Sequence, residues 1–136
     1  MKLEEVKQRI YFLGGRIGLK KNSDLWPVFS ENGHVSGEGA SIYVEHSKCH
    51  YVIMERGKLV KKYVSENLED ILYPLFENIT FTLASEYELN HRRSGEDSRR
   101  QLWEKQVELL ERIHKSYAEA CRAEIRKFLE ISPYKE

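Results

Sequence analysis

Apolar residues recur at helical spacing in three stretches of the chain and at a spacing of two in one, an order that predicts an α+β fold. Leu3, Val6, Ile10 and Leu13 mark an opening helix, from Leu3 to about Leu13, ended by Gly14-Gly15. From Ala40 the period becomes two. Ile42 and Val44 alternate with Tyr43 and Glu45, then Tyr51, Ile53 and Glu55 alternate with Val52 and Met54. The turn Glu55-Arg56-Gly57-Lys58 leads into Leu59–Val64, and Gly57 offers the positive φ that such a turn wants. Three short strands on tight connections predict a small antiparallel meander. Between helix and strands, Lys20–Gly39 scatters Asn22, Ser23, Asp24, Pro27, Asn32, Gly33, Gly37 and Gly39. It reads as a long irregular connection over the surface, pinned to the core by Trp26, Val28 and Phe29.

Helical spacing returns after Ser65-Glu66-Asn67, a capping cluster followed by the first-turn acids Glu69 and Asp70. Pro74 lies too deep for a first-turn proline, so a kink or break is expected there before the helix runs on to about Arg92. Ser94-Gly95 makes the next turn, with Ser94 as expected N-cap and Asp97 at the third helical position. A second long helix is expected from Glu96 to about Glu130, with Pro133 past its end. The whole is an N-terminal helix, a meander of three or more strands and a long C-terminal helical hairpin packed on the sheet. At 136 residues the chain suits one domain, residues 1–136.

The polar residues that fall on the apolar stripes of the hairpin are the chain's most informative feature. Leu72, Phe76, Ile79 and Leu83 form one stripe, and the next position on it is Glu86. Leu102, Leu110, Ile113 and Tyr117 form another, which also contains Arg99 and Gln106. A carboxylate and a guanidinium on facing stripes are costly unless they meet. Glu86, Glu88, His91, Arg92, Asp97, Arg99, Arg100 and Gln106 therefore read as a structural polar cluster where the helices turn. Glu86 is expected to pair with Arg99 or Arg100, while Glu88, Arg92 and Arg93 point away from the core.

Composition narrows the function classes. Lysine plus arginine equals aspartate plus glutamate at 22 each, which removes the cationic excess that displaces counterions from nucleic acid. A nucleic-acid-binding regulator would have to work through Arg92, Arg93, Arg99 and Arg100 alone. The N-terminus carries acids at once and lacks an apolar h-region, and no apolar run approaches a membrane span, so a cytoplasmic protein with no membrane contact is expected. Cys49 and Cys121 lie in different elements without metal-ligand spacing and read as buried small hydrophobes.

Candidate chemistry is sparse. Glu88-Leu89-Asn90-His91 has the Glu-x-x-His spacing of di-iron bundles, yet those need two such pairs and two further glutamates on four helices. A small metal-dependent enzyme using Glu86, Glu88 and His91 is the alternative this leaves. His46 and His50 flank a hairpin without a third ligand and read as exposed turn histidines. Cys49 and His50 are adjacent on a strand and so face opposite ways. No serine sits in a nucleophile elbow, and the glycines make no phosphate loop. The expectation is no enzyme, no catalytic residue, no cofactor and no metal.

Three blocks carry a family resemblance: Tyr51-Val52-Ile53-Met54-Glu55-Arg56-Gly57 in a strand and turn, Leu72-Tyr73-Pro74-Leu75-Phe76-Glu77, then Glu86-Tyr87-Glu88 through Arg92, Asp97, Arg99-Arg100 and Gln106. In that order, over roughly Ser41–Ile113, they resemble the immunity protein 63 family. The resemblance implies a bacterial, cytoplasmic, non-enzymatic protein that binds and neutralises a cognate toxin of a polymorphic toxin system. Partner contacts are expected on the exposed sheet face, or at Tyr43–His50 together with the loop Asp24–Gly39. The residues placed there are Asp24, Trp26, Glu31, Glu38, Tyr43, Glu45 and Tyr51, the acids being suited to a basic cleft. Tyr63 and Tyr117 are further candidate aromatic anchors, and the reading leaves room for a homodimer.

Overall fold

A computed structural model describes residues 1–136. The elements in order are α1 (Leu3–Gly15), β1 (Val28–Phe29), β2 (Gly39–Glu45), β3 (Lys48–Glu55), β4 (Lys58–Ser65), α2 (Glu69–Asn90), α3 (Ser98–Ile113) and α4 (Lys115–Ile131). The fold class is α+β. The chain forms two compact units, Met1–Leu75 and Phe76–Glu136, with α2 belonging to both.

The first unit holds α1 and a four-stranded sheet of order β1-β2-β3-β4. β2, β3 and β4 are the antiparallel meander that the alternation predicts. Both hairpins turn on two residues with positive φ, His46-Ser47 and Arg56-Gly57, the geometry that matches strand twist. The sheet is mixed, because β1 lies parallel to β2 through Val28↔Ser41 and Phe29↔Ile42. Two residues are too few to leave an alternation in the sequence. Val28 is not the core anchor expected of it: it is 57% exposed on the sheet edge. Trp26 is an anchor. Its ring lies against Gly14 of α1, its Nε1–H donates to the Lys20 carbonyl at 2.8 Å, and it meets Tyr11 edge-on at 4.9 Å.

Val6, Ile10 and Leu13 of α1 are buried, as are Ile42, Cys49, Tyr51 and Val52 of the sheet and Ile71, Leu72 and Leu75 of α2. At the other sheet edge, β4 carries exposed Leu59, Val60 and Val64 among Lys58, Lys61 and Lys62. Edge lysines and the bulge opposite Ile53/Met54 are the usual guards against strand-to-strand aggregation.

The capping cluster before α2 works as its composition predicts: Asn67 Oδ1 accepts the Glu69 N–H at 3.1 Å, and the Ser65 hydroxyl donates to Asp70. Pro74 does not break the helix, which is α-helical from Glu69 to Asn90. A proline removes one hydrogen bond, and the burial of Ile71, Leu72, Leu75 and Phe76 around it outweighs that loss.

The second unit departs from the expected single rod. Asp97, not Ser94, caps α3: its carboxylate accepts the Arg99 N–H at 3.0 Å, and Gly95 at φ +75° keeps the preceding turn out of the helix. The long helix is two helices, interrupted at His114 in extended backbone (φ −161°, ψ 133°). The His114 Nδ1 accepts the Ser116 N–H at 3.1 Å, so this one residue ends α3 and caps α4. Phe76, Ile79, Leu109, Leu110, Ile113, Tyr117, Ala118 and Cys121 are buried here. No helix is long and apolar enough to cross a membrane.

Candidate functional site

Most of the residues expected at a partner interface lie in the loop 24–39 or on β2. The loop is irregular in shape but tied at both ends. The Ser30 N–H donates to the Ile42 carbonyl at 2.8 Å, extending the β1–β2 pairing. Asn32 Oδ1 accepts from the Ser30 hydroxyl and from the His34 N–H, an Asx-type turn. Farther on, the Gly57 N–H donates to the Gly37 carbonyl at 2.9 Å, and the Arg56 N–H donates to Glu38 Oε2 at 2.8 Å. The loop and the β3–β4 turn thus brace each other, which lowers the ordering cost of any contact made there.

Asp24, Glu31, Glu38 and Glu45 are exposed. Tyr43 is half-buried and stacks on His50, its cross-strand neighbour, with ring centroids 4.4 Å apart and planes 11° from parallel. His50 is therefore not an exposed turn histidine. Its Nδ1 is buried without a hydrogen-bond partner, and burial followed by the nearby Lys62 charge lowers its pKa below the ordinary 6.5. His46 does extend into solvent, 3.3 Å from Glu45. Tyr51 does not belong to the surface. It is 1% exposed, on the opposite face of its strand from His50, where its ring stacks on Tyr63 at 5.8 Å. A one-residue step along β3 separates the two faces.

The hairpin cluster is ionic but wired differently from expectation. Glu86 is exposed, and the buried acid is Glu88, 4% exposed, two positions along α2. The buried stripe runs through Thr80 and Ala84 to Glu88, so the small residues, and not Leu83, mark the inner face. Glu88 accepts two hydrogen bonds from Arg92, from Nε at 3.1 Å and Nη2 at 3.0 Å, which raises the pKa of that guanidinium. His91 takes no part, since its Nδ1 lies 2.9 Å from the Tyr87 carbonyl and its ring stacks on Tyr87. The Glu-x-x-His pair is thus divided between two separate partners. No group of three or more His, Cys, Asp or Glu residues converges as a metal site.

Arg99 and Arg100 face the C-terminal segment, not Glu86. Arg99 binds Asp97 through Nε and Nη2 and reaches the Ser132 and Pro133 carbonyls at 3.0 and 2.9 Å. Arg100 binds Glu136. The Arg99 guanidinium, with the Lys135 and Arg99 N–H groups, holds the Asp97 carboxyl well below the usual carboxylate range. Gln106 is buried as its stripe position predicts. It links α3 to α2 by donating to the Glu77 carbonyl at 3.1 Å and to Thr80 at 3.5 Å.

Sequence reasoning passed over the outer side of α3 and α4. There Trp103, Val107, Ile125 and Tyr134 line a groove of about 390 Å³ rimmed by Arg100, Arg122 and Glu104. Its signal was an i, i+3 pairing of Ile125 with Phe128 on a face of α4 that the core does not use.

Neither a curated protein nor a solved structure matches the chain significantly. The profile of one family, described as Immunity protein 63, matches residues 45–127, from the end of β2 into α4 and more than half of the chain. The loop 24–39 and the C-terminal segment lie outside the matched span. The order of strand, turn and polar hairpin blocks falls inside it, and the chain belongs to the immunity protein 63 family.

Proposed function

We propose that this protein is a bacterial, cytoplasmic and non-enzymatic antitoxin that binds a cognate toxin of a polymorphic toxin system and neutralises it by occlusion. Family membership supplies the toxin-directed role. The observation that carries the occlusive mechanism is the braced acidic loop: Asp24, Glu31 and Glu38 are exposed on a loop fixed near its end by the Glu38–Arg56 and Gly37–Gly57 hydrogen bonds, and Glu45 is exposed at the end of β2. Toxins that act on nucleic acids or other polyanions need cationic clefts, and a rigid acidic projection competes for such a cleft directly. Trp26 of the loop and Tyr43 of β2 are half-buried aromatics, the kind of residue that anchors interfaces. The hairpin cluster then serves the scaffold, through Glu88–Arg92 and Asp97–Arg99.

The test is to mix the protein with the product of the neighbouring gene. A complex at micromolar concentration, together with protection of cells expressing that product, is the expected result. Complex formation without loss of toxin activity would reject occlusion, and no complex would reject the reading. An enzymatic alternative would require Glu88→Ala with His91→Ala to abolish an activity while leaving the fold intact.

A further inference from the structure

We propose that the groove on α3 and α4 is a peptide-binding site whose resident occupant is the chain's own C-terminal segment, and that it accepts from a partner protein an extended segment carrying an aromatic residue two positions before a carboxylate. This site lies in the second unit and does not rest on the acidic-loop reading.

Residues 132–136 show what the groove recognises. After α4 ends at Ile131, residues 132–136 take no regular secondary structure and are held by α3 side chains. Arg99 donates to the Ser132 and Pro133 carbonyls, and Asp97 accepts the Lys135 N–H at 2.9 Å. These bonds read main chain, so they are open to any sequence. Two further contacts read side chains. The Tyr134 ring lies 4.2 Å from the Arg100 guanidinium, 5.6 Å from that of Arg99 and 6.0 Å from the Trp103 ring. The Glu136 carboxylate accepts from Arg100 Nε at 2.5 Å. Main-chain contacts that fix direction, an aromatic slot between guanidinia and a cation for an acid are the parts of a peptide-recognition site.

The segment is a poor filler of that site. Tyr134 closes only one end, and the floor beyond it, at Val107 and Ile125, stays open. Phe128, stacked on Trp103 at 6.3 Å, is 58% exposed beside it. Exposed apolar area of this kind, next to tryptophan, tyrosine and arginine, is what interface centres are made of. A longer segment can make every contact that residues 132–136 make and also cover this floor. The tether gives the resident segment an effective concentration on the order of millimolar, which an incoming segment must overcome. The segment therefore sets a threshold for occupation.

The test uses the full-length chain and the peptide acetyl-Ser-Pro-Tyr-Lys-Glu-amide, followed by amide chemical shifts. Tyr134→Ala empties the aromatic slot and weakens the hold of the resident segment, so this variant should bind the peptide about tenfold more tightly than the unaltered chain does. The shifts should fall on residues 97–107 and 122–128. Replacing the peptide's tyrosine by alanine, or adding Arg100→Ser, should abolish them. A folded Tyr134→Ala protein without shifts at millimolar peptide would overturn the proposal. So would shifts elsewhere, equal affinity with and without Tyr134, or indifference to the peptide's tyrosine. If Tyr134→Ala does not fold, Glu136→Ala weakens the same segment by removing its contact with Arg100, and tighter peptide binding that needs the peptide's tyrosine supports the proposal while unchanged binding overturns it.

Discussion

Glu88 and Arg92 are a pair of unequal members: the Glu88 side chain is 5% exposed and the Arg92 side chain one turn later is 61% exposed, and two hydrogen bonds join them. The two deletions are therefore not equivalent. Arg92→Ala leaves a buried acid without its only charged donor, whereas Glu88→Gln keeps an acceptor for an arginine that water already solvates. Arg92→Ala should lower the urea midpoint clearly more than Glu88→Gln does, and Glu88→Gln should stay within about 1 kcal/mol of the unaltered chain. Glu86→Ala, at an exposed position, should leave the midpoint unchanged. A larger loss at Glu86 than at Arg92 would mean that the acid at the end of the inner stripe has been misassigned.

That pair also shows what the sequence could and could not say. Period-two alternation located β2, β3 and β4, because each strand is long enough to repeat and each turn carries its own signal, as Arg56-Gly57 does. β1 has only two residues and no repeat to detect. Helical spacing places a polar residue on the inner face correctly at Gln106, but it points to Glu86 where the fold buries Glu88. Leu83 is the large apolar residue on the stripe that leads to Glu86, while the helix turns its inner face through Thr80 and Ala84. The break at His114 was illegible because its capping bond, to the Ser116 N–H, needs no residue that composition marks as a helix breaker. The pairing of Arg99 with residues 132–136 spans more than thirty positions and leaves no periodic trace.

His50 makes stability pH-dependent on the acid side. Its pKa is lowered in the folded chain, first by burial and then by the Lys62 charge, so the unfolded chain holds more protons around and just below the ordinary value of 6.5. Stability should therefore rise with pH through this window and fall as the pH drops below about 6.5. Lys48 and Glu45 also face the ring, the first acting with Lys62 and the second against it. His50→Phe keeps a ring to stack on Tyr43 and cannot titrate. Urea midpoints taken at about pH 5 and about pH 7.5 should differ less for His50→Phe than for the unaltered chain. An equal difference in both would remove His50 from the account.

Gly14 is a glycine for reasons of contact. A Cβ there would run into the Trp26 ring, which is 2.8 Å away at Cζ3 and closer still at Cη2. The ring cannot retreat freely, since its Nε1–H is bonded to the Lys20 carbonyl and it packs against Tyr11. Alanine ordinarily favours a helix interior, but here Gly14→Ala should destabilise by about 1–3 kcal/mol. Gly15→Ala, one residue on and with open space at its Cβ, should not destabilise. Thermal midpoints of the two variants measure the contrast.

Both thiols should be inert in the folded chain. Burial pushes Cys49 up to about 11 and Cys121 up to about 12, the latter helped by the Glu77 and Glu124 charges. The thiolate is the reactive form, so neither should be alkylated at neutral pH until the chain opens. Iodoacetamide labelling followed by mass spectrometry should then report unfolding at each site separately, Cys49 for the first unit and Cys121 for the second. Rapid labelling of either without denaturant would contradict its burial.

The acidic loop makes a kinetic prediction about the toxin complex. Charges at an interface rim act chiefly on the rate of encounter, and they act through a field that salt screens. Glu31 and Glu45 are exposed and bond no part of the loop, so Glu31→Lys with Glu45→Lys changes the field without loosening the brace. Association should slow about tenfold or more at low salt, the difference shrinking as salt rises, while the dissociation rate changes little. Glu38→Ala is the contrasting case, because Glu38 also holds the Arg56 N–H: losing that acceptor should raise the dissociation rate by letting the loop move. If the double reversal left association and its salt dependence unchanged, the loop would not face the toxin, and the occluding surface would have to lie elsewhere on the chain.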